Sequence, residues 1–354
     1  GLGAHRTDAW VSILDRSLLL VGLGILLAIQ PGFQIVWLLA GTSIALLIAG
    51  CLALWRLRIN RLVAENTASE PTNIWTQLAK GWPYALLFLL MMTYHRVDAI
   101  MLERSATNGA KEAGWYAMSY RLFEAANMIG YLFATLLLPY FSRMLANKTD
   151  VRPLAIGASQ LLLVGGGAVA WTACFWPDSF LRLFYDHEIA EAAPILPWLM
   201  VSFAIFAQGY VFSTLLTARG DLRLLNSVAA IGAFGNIALN FLWIPEYGAL
   251  GCAMASALTQ ALVVIVQCTA SVLKHPGSAW WKLVKSLALH SLLCGAICGI
   301  GLRWDSDVWW MVPVILLACL LAGFIPGIMD DSTVRSLLST KMNTFASSKL
   351  KSDS

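Results

Sequence analysis

Charge is scarce in this sequence. Only 12% of its 354 residues are Asp, Glu, Lys or Arg, where a soluble domain carries about a quarter. So few charges cannot cover a water-facing surface, which excludes an ordinary soluble globular chain. Walker loops, nucleophile elbows and zinc-ligand spacings are absent as well. The histidines His5, His95, His187, His275 and His290 are scattered without metal-ligand spacing. The seven cysteines are Cys51, Cys174, Cys252, Cys268, Cys294, Cys298 and Cys319. All lie in apolar runs, where a thiol behaves as a small hydrophobe, so no disulfide is implied. Cys294 and Cys298 share a helix face but have no histidine or acidic cluster beside them, so no metal is expected. The net charge of +4 sits in loops and tail. It makes no basic face, and nucleic acid is not an expected partner. The strict alternation of a membrane β-barrel is missing too.

What the sequence has is hydrophobic length. Apolar residues make up 58% of it, and the mean hydropathy is +0.69. About 20 apolar residues span a bilayer as one helix, and lipid offers the backbone no hydrogen-bond partner, so each such run is helical. The fold class expected is therefore all-α, a polytopic membrane bundle of about ten transmembrane helices. The spans fall near 11–29, 33–55, 79–101, 115–138, 155–176, 194–217, 223–243, 249–272, 284–302 and 308–328. Gln30-Pro31-Gly32 punctuates the first pair, and Ile244-Pro245-Glu246-Tyr247-Gly248 the seventh and eighth.

Lys and Arg mark the cytoplasmic connections of such bundles. One set of connections holds Arg56, Arg58, Arg61, Lys80, Arg143, Lys148, Arg152, Arg219, Arg223, Lys274, Lys282 and Lys285, and the tail adds four more. The opposite set holds only Arg104, Lys111, Arg182 and Arg303. The asymmetry is about four to one and alternates loop by loop. Both the first residues and the polar tail 330–354 are thus expected on the cytoplasmic side. The longest opposite loop, near 177–193, is acidic. The stretch 57–78 reads as a flexible linker.

Charges inside spans cost several kcal/mol unless paired or hydrated, which makes four residues candidates for function. Arg96 and Asp98 lie in the third span. Residues two apart do not face each other on a helix, so they face different surroundings. Arg121 and Glu124 of the fourth span are i,i+3 and can pair. All four lie at similar depth. They read either as a mutually neutralised cluster or as the lining of a hydrated cavity for an anionic head group, with arginine forks suited to phosphate. Asn236 and Asn240 share a face of the seventh span, as secondary candidates or as helix-packing amides. Gly165-Gly166-Gly167 reads as close helix packing or a kink.

The order Arg96-Val97-Asp98, then Gly114-Trp115-Tyr116 and Ser119-Tyr120-Arg121-Leu122-Phe123-Glu124, then Leu138-Pro139, resembles the polysaccharide (O-antigen) flippases of the multidrug/oligosaccharidyl-lipid/polysaccharide exporter superfamily. A second block, Asn236 to Asn240 followed by Ile244-Pro245 and Gly248-Ala249-Leu250-Gly251-Cys252-Ala253 through Ser256, is similar to the pattern joining two late helices of that family.

The resemblance covers most of 80–272 and implies a two-lobed fold of 12–14 helices with alternating access. On it, 1–56 would hold the last two helices of the first lobe, 79–272 a six-helix second lobe, and 273–329 two additional helices. Four further spans, about 130 residues at typical span-plus-loop length, would precede Gly1. The implied activity is no enzyme chemistry and no cofactor. It is the translocation of polyprenyl-pyrophosphate-linked oligosaccharide across a bacterial inner membrane for surface polysaccharide (O-antigen, lipopolysaccharide) synthesis. Arg96 and Arg121 would offset the pyrophosphate, and Asp98 and Glu124 would be candidates for ion or proton coupling. Partners would be membrane lipids, the lipid-linked sugar and other polysaccharide assembly proteins. Export of another lipid or a drug is the alternative within the fold, and a glycan polymerase or ligase the alternative outside it.

Overall fold

The computed structural model of the protein describes residues 74–302, 310–325 and 327–328, with single helical residues at 41, 43, 44, 47, 48 and 51. The chain divides into two units, 1–77 and 78–354, and the bundle lies in the second. The expected span 11–29, all of 33–55 but those six residues, most of the linker, and the tail lie outside the described residues.

All regular structure among the described residues is helical. The elements are α1 (Ile74–Ser105), α2 (Gly109–Ala146), α3 (Arg152–Phe175), the short α4 (Pro177–Arg182) and α5 (Ile189–Ala192), α6 (Leu196–Arg219), α7 (Leu222–Lys274), a 3-10 turn (Ser278–Trp280), α8 (Trp281–Gly301) and α9 (Met311–Ala322). The local sequence explains several ends. Proline opens the first turn of α3, α4 and α6, where its missing N–H costs nothing. Gly220, with φ +82°, ends α6 in the left-handed cap that glycine adopts without a Cβ penalty.

The 53 residues of α7 hold the two spans expected at 223–243 and 249–272. Gly248 interrupts the helix with φ +55° and ψ −132°. On a straight helix Asn236 and Ser256 would stand roughly 30 Å apart, yet their side chains are 3.5 Å apart. Gly235 faces Thr259 and Gly232 faces Val263 in the same register. The segment is therefore a hairpin of two antiparallel legs, turned at Pro245–Gly248.

The core follows from this order. Helix α6 packs against α2, α3 and α7, while α8 and α9 pack on α3. Two glycines of the triplet make these approaches close. A Cβ on Gly166 would stand 3.1 Å from the Ala204 backbone of α6, and one on Gly167 would stand 3.0 Å from the His290 ring of α8. Gly166 and Gly167 thus act in helix packing.

The two ends of the bundle are tied differently. At the basic end, Asp221 bridges Arg219 (3.0 Å) and Lys274 (2.7 Å). Arg152 there pairs with Asp150 at 2.9 Å and donates to the Pro276 carbonyl at 2.8 Å. At the other end, Trp115 donates to Glu188 (3.1 Å), Tyr185 to the Met118 carbonyl (3.3 Å) and Ser119 to the Ala192 carbonyl (3.2 Å). Among the described residues, six helices are long and apolar enough to cross a membrane, α7 counted once. The expected last span, 308–328, is helical over 311–322.

Candidate functional site

Asp98 is the centre of the site. It is 3% exposed, although it sits on a helix whose outer face is otherwise open. Three side chains from two other helices donate to its carboxylate. Tyr116 Oη of α2 reaches Oδ2 at 3.2 Å, Asn240 Nδ2 of the first α7 leg reaches Oδ1 at 2.6 Å, and Ser256 Oγ of the second leg closes on Oδ2. Asn240 Nδ2 also lies 3.1 Å from Asn236 Oδ1. The hairpin turn at Gly248 is what brings Asn236, Asn240 and Ser256 to one place.

Among the described residues, Asp98 is the one charged side chain of the site. Its neighbours are hydroxyls and amides, and the Asn240 Oδ1 acceptor is buried without a hydrogen-bond partner. Carboxylate, amide and hydroxyl oxygens are the ligands of hard cations. A proton or one monovalent cation would neutralise Asp98, whereas a divalent ion would leave a net charge in an apolar interior. A narrow cleft opens beside it, lined by Asp98, Tyr120, Phe123, Ser202, Ser256 and Gln260, with Leu199.

Arg96 faces elsewhere. Its side chain is 73% exposed and meets Glu124 of α2 at 3.7 Å. Arg121 is exposed on α2. The four charges that share a depth in the sequence therefore do not form one cluster. Asp98 is sealed among neutral groups on one side of α1, and Arg96 and Glu124 stand on the other. Glu124 has Arg96 for its ion-pair partner, where the i,i+3 spacing had suggested Arg121. Residues two positions apart on a helix point about 200° apart at 100° per residue, which separates Arg96 from Asp98. Between the two sites runs an aromatic ladder, Tyr116 on Tyr120 (5.4 Å) and Tyr120 on Phe123 (5.3 Å).

Asn236 and Asn240 belong to the Asp98 site. Tyr116 and Ser256 belong to it as well, and the sequence reading passed over both as site residues. Helical spacing carried a signal for Ser256 only once the hairpin register was known. Glu112 was also passed over. Its carboxylate accepts from the Ala249 backbone N–H at 2.9 Å and so caps the second leg of α7 from another helix.

The cysteine reading needs one correction. His290 precedes Cys294 by one turn, and its Nε2 lies 3.4 Å from that thiol and 3.3 Å from the Cys319 carbonyl. The periodicity of α8 puts His290, Cys294 and Cys298 on one buried face, so a histidine does stand beside the pair.

The sequence and the fold are similar to those of known proteins. A family described as "Polysaccharide biosynthesis protein" matches residues 6–145. The chain shares its fold with a solved lipid II flippase, MurJ, in an inward closed conformation. The TM-score is 0.61 at 16% identity, over 92% of this chain and 67% of that one. The likeness to MurJ shows the fold, and the sequence similarity is to a polysaccharide-biosynthesis family. Among curated proteins, the lipid III flippases of Escherichia coli (strain K12) and Shigella flexneri are each 26% identical over 196 residues, 54% of this chain and 46% of theirs. The chain spans about half the length of the curated relatives it matches.

Proposed function

We propose that the protein translocates polyprenyl-pyrophosphate-linked oligosaccharide repeat units across a bacterial inner membrane for surface polysaccharide synthesis. The observation that carries the proposal is the placement of two unlike charge sites on one helix pair. Arg96 and Glu124 are exposed on α1 and α2, and Asp98 is sealed behind them. An exposed arginine at mid-span is costly in lipid. It is at home in a hydrated cavity, where its planar fork matches two phosphate oxygens. Glu124 holds Arg96 when no anion is present and yields it when one arrives, and Arg121 adds a second positive charge on α2. The lipid tail stays in the membrane while the head group crosses.

Asp98 supplies the coupling. Taking up or releasing a proton or a monovalent cation there changes the charge that Tyr116, Asn240 and Ser256 hold together. The packing of the α7 hairpin against α1 and α2 then depends on occupancy. Rocking of one helical bundle against another would complete alternating access. Similarity to a lipid II flippase and to lipid III flippases supports a lipid-borne cargo over a drug.

The test is the sidedness of lipid-linked oligosaccharide in cells lacking the gene. Accumulation on the cytoplasmic face with loss of surface glycan is expected, and restoration by wild type but not by Arg96→Ala. Intact surface glycan without accumulation would assign the protein another exported lipid.

A further inference from the structure

A coupling site as deeply buried as Asp98 needs a route to water. One face of the second α7 leg carries polar residues where its neighbours are apolar. Ser256, Gln260, Gln267 and Ser271 are 6%, 3%, 9% and 0% exposed. At 100° per residue they fall within about 60° of one another, over roughly 22 Å of helix. The Gln260 and Gln267 amide atoms are not among the polar atoms that are fully shut off without a partner. Gln260 points into the cleft that reaches Asp98. Across from Gln267 stands Gly209 of α6, where a Cβ would lie 3.6 Å from the Gln267 amide oxygen. The glycine leaves that amide room.

In a polar space inside a protein, the groups that answer such amides are water molecules. We propose that this face of α7 is a hydrated path that carries a small monovalent cation, proton or alkali, between Asp98 and the basic end of the bundle. The path runs inside the second unit and is separate from the route of the lipid head group. Its mouth is the cluster of Arg219, Asp221, Lys274 and His275, three residues beyond Ser271. The other direction is closed. Above Ser256 the same leg presents Ala249, Cys252 and Ala253, each at most 1% exposed, and Glu112 and Tyr116 clasp that end. Access is thus one-sided, and by the positive-inside rule the side is cytoplasmic. The inference rests on the reading of Asp98 as the coupling site only for what the path serves.

Charged methanethiosulfonate reagent, added to either side of vesicles holding the full chain, tests it, with mass spectrometry locating the label. Only a hydrated thiol ionises and reacts, so Ser271→Cys, Gln267→Cys and Gln260→Cys should label about tenfold or more faster than the dry control Ala257→Cys. They should do so from the basic side, with the rate falling with depth. Ser271→Cys is nearly isosteric and guards against misfolding of the others. Labelling no faster than Ala257→Cys, or only from the opposite side, overturns the path. The coupling reading is tested separately by gradient-driven flipping in the Asp98→Asn variant. If that variant responds to the gradient as wild type does, the coupling reading falls while the labelling result still decides the path.

Discussion

Asn240 on the α7 hairpin donates to Asp98 on α1 across 2.6 Å, joining two helices 142 residues apart in sequence around one buried carboxylate. Replacing Asp98 by Asn keeps the shape and removes the charge. Asp98→Asn is expected to fold and express normally but to lose gradient-driven flipping. Asp98→Ala strands the donors of Tyr116, Asn240 and Ser256 and should lower stability by about 1–3 kcal/mol, the cost of unanswered buried polar groups. Thermal unfolding in detergent beside a flipping assay separates the two effects. Equal loss of stability in both variants would make Asp98 purely structural.

The Arg96–Glu124 pair is exposed, so its contribution to stability is small, about 0–1 kcal/mol. The charge swap Arg96→Glu with Glu124→Arg keeps the pair and moves the cation. It should leave the melting temperature within the error of wild type and depress flipping. Arg96→Lys keeps charge but loses the fork, and should fall between wild type and Arg96→Ala. A swap that flips at the wild-type rate would remove the pair from the substrate path.

The α7 turn is held from outside its own helix. Glu112→Ala removes the acceptor for Ala249 N–H, and loss of a cap costs about 1 kcal/mol. Gly248→Ala faces two costs, the left-handed φ of +55° and a Cβ 2.7 Å from the Glu112 carboxylate. It should destabilise more than Glu112→Ala. In the double variant Glu112→Ala, Gly248→Ala, only the backbone cost at Gly248 remains from that substitution. A double-variant loss smaller than the sum of the singles, read from unfolding, checks this.

At the basic end, acid should loosen the bundle. Partial burial pushes the Asp221 carboxyl up, but Lys274 and Arg219 outweigh it and hold it below its ordinary 3.8. A carboxylate depressed in the folded state stabilises at pH values above its unfolded value and loses that contribution as pH falls through the folded one. Asp150 is depressed too, chiefly by the hydrogen bond from Arg152. Melting temperature followed from pH 6 to pH 3 should fall at the acid end, and Asp221→Asn should flatten part of that fall. An unchanged profile in the variant would show that Asp221 contributes nothing to acid sensitivity.

Much of the bundle was legible because lipid makes hydrophobic length and loop charge decisive. Each expected span from 79 to 302 corresponds to a described helical segment, and Pro245 and Gly248 announced the hairpin. Boundaries moved where amphipathic ends continue as helix: α2 begins at Gly109 and runs to Ala146, beyond the apolar 115–138. Within the candidate site, the residues were visible and their partners were not. Charge at mid-span singles out Arg96, Asp98, Arg121 and Glu124, but depth alone does not say which face of α1 each occupies against its neighbours. Tyr116 and Ser256 carry no charge to draw notice, and their meaning comes from a hairpin register that only tertiary structure fixes.

The glycine triplet of α3 offers a contrast within three residues. A Cβ on Gly165 meets nothing within 4 Å, while one on Gly167 stands 3.0 Å from the His290 ring. His290 is 1% exposed and bonded toward Cys319, so the ring has little room to move. Gly165→Ala gains helix propensity and should be neutral or stabilising by about 0.5–1 kcal/mol. Gly167→Ala gains the same propensity and meets overpacking of about 1–3 kcal/mol, so it should destabilise. Unfolding of the two variants in the same detergent checks the sign of each. If both stabilise, then α8 yields at His290 and its seat on α3 is looser than the packing requires. Opposite signs would establish that α8 is docked on α3 through the missing side chain of Gly167.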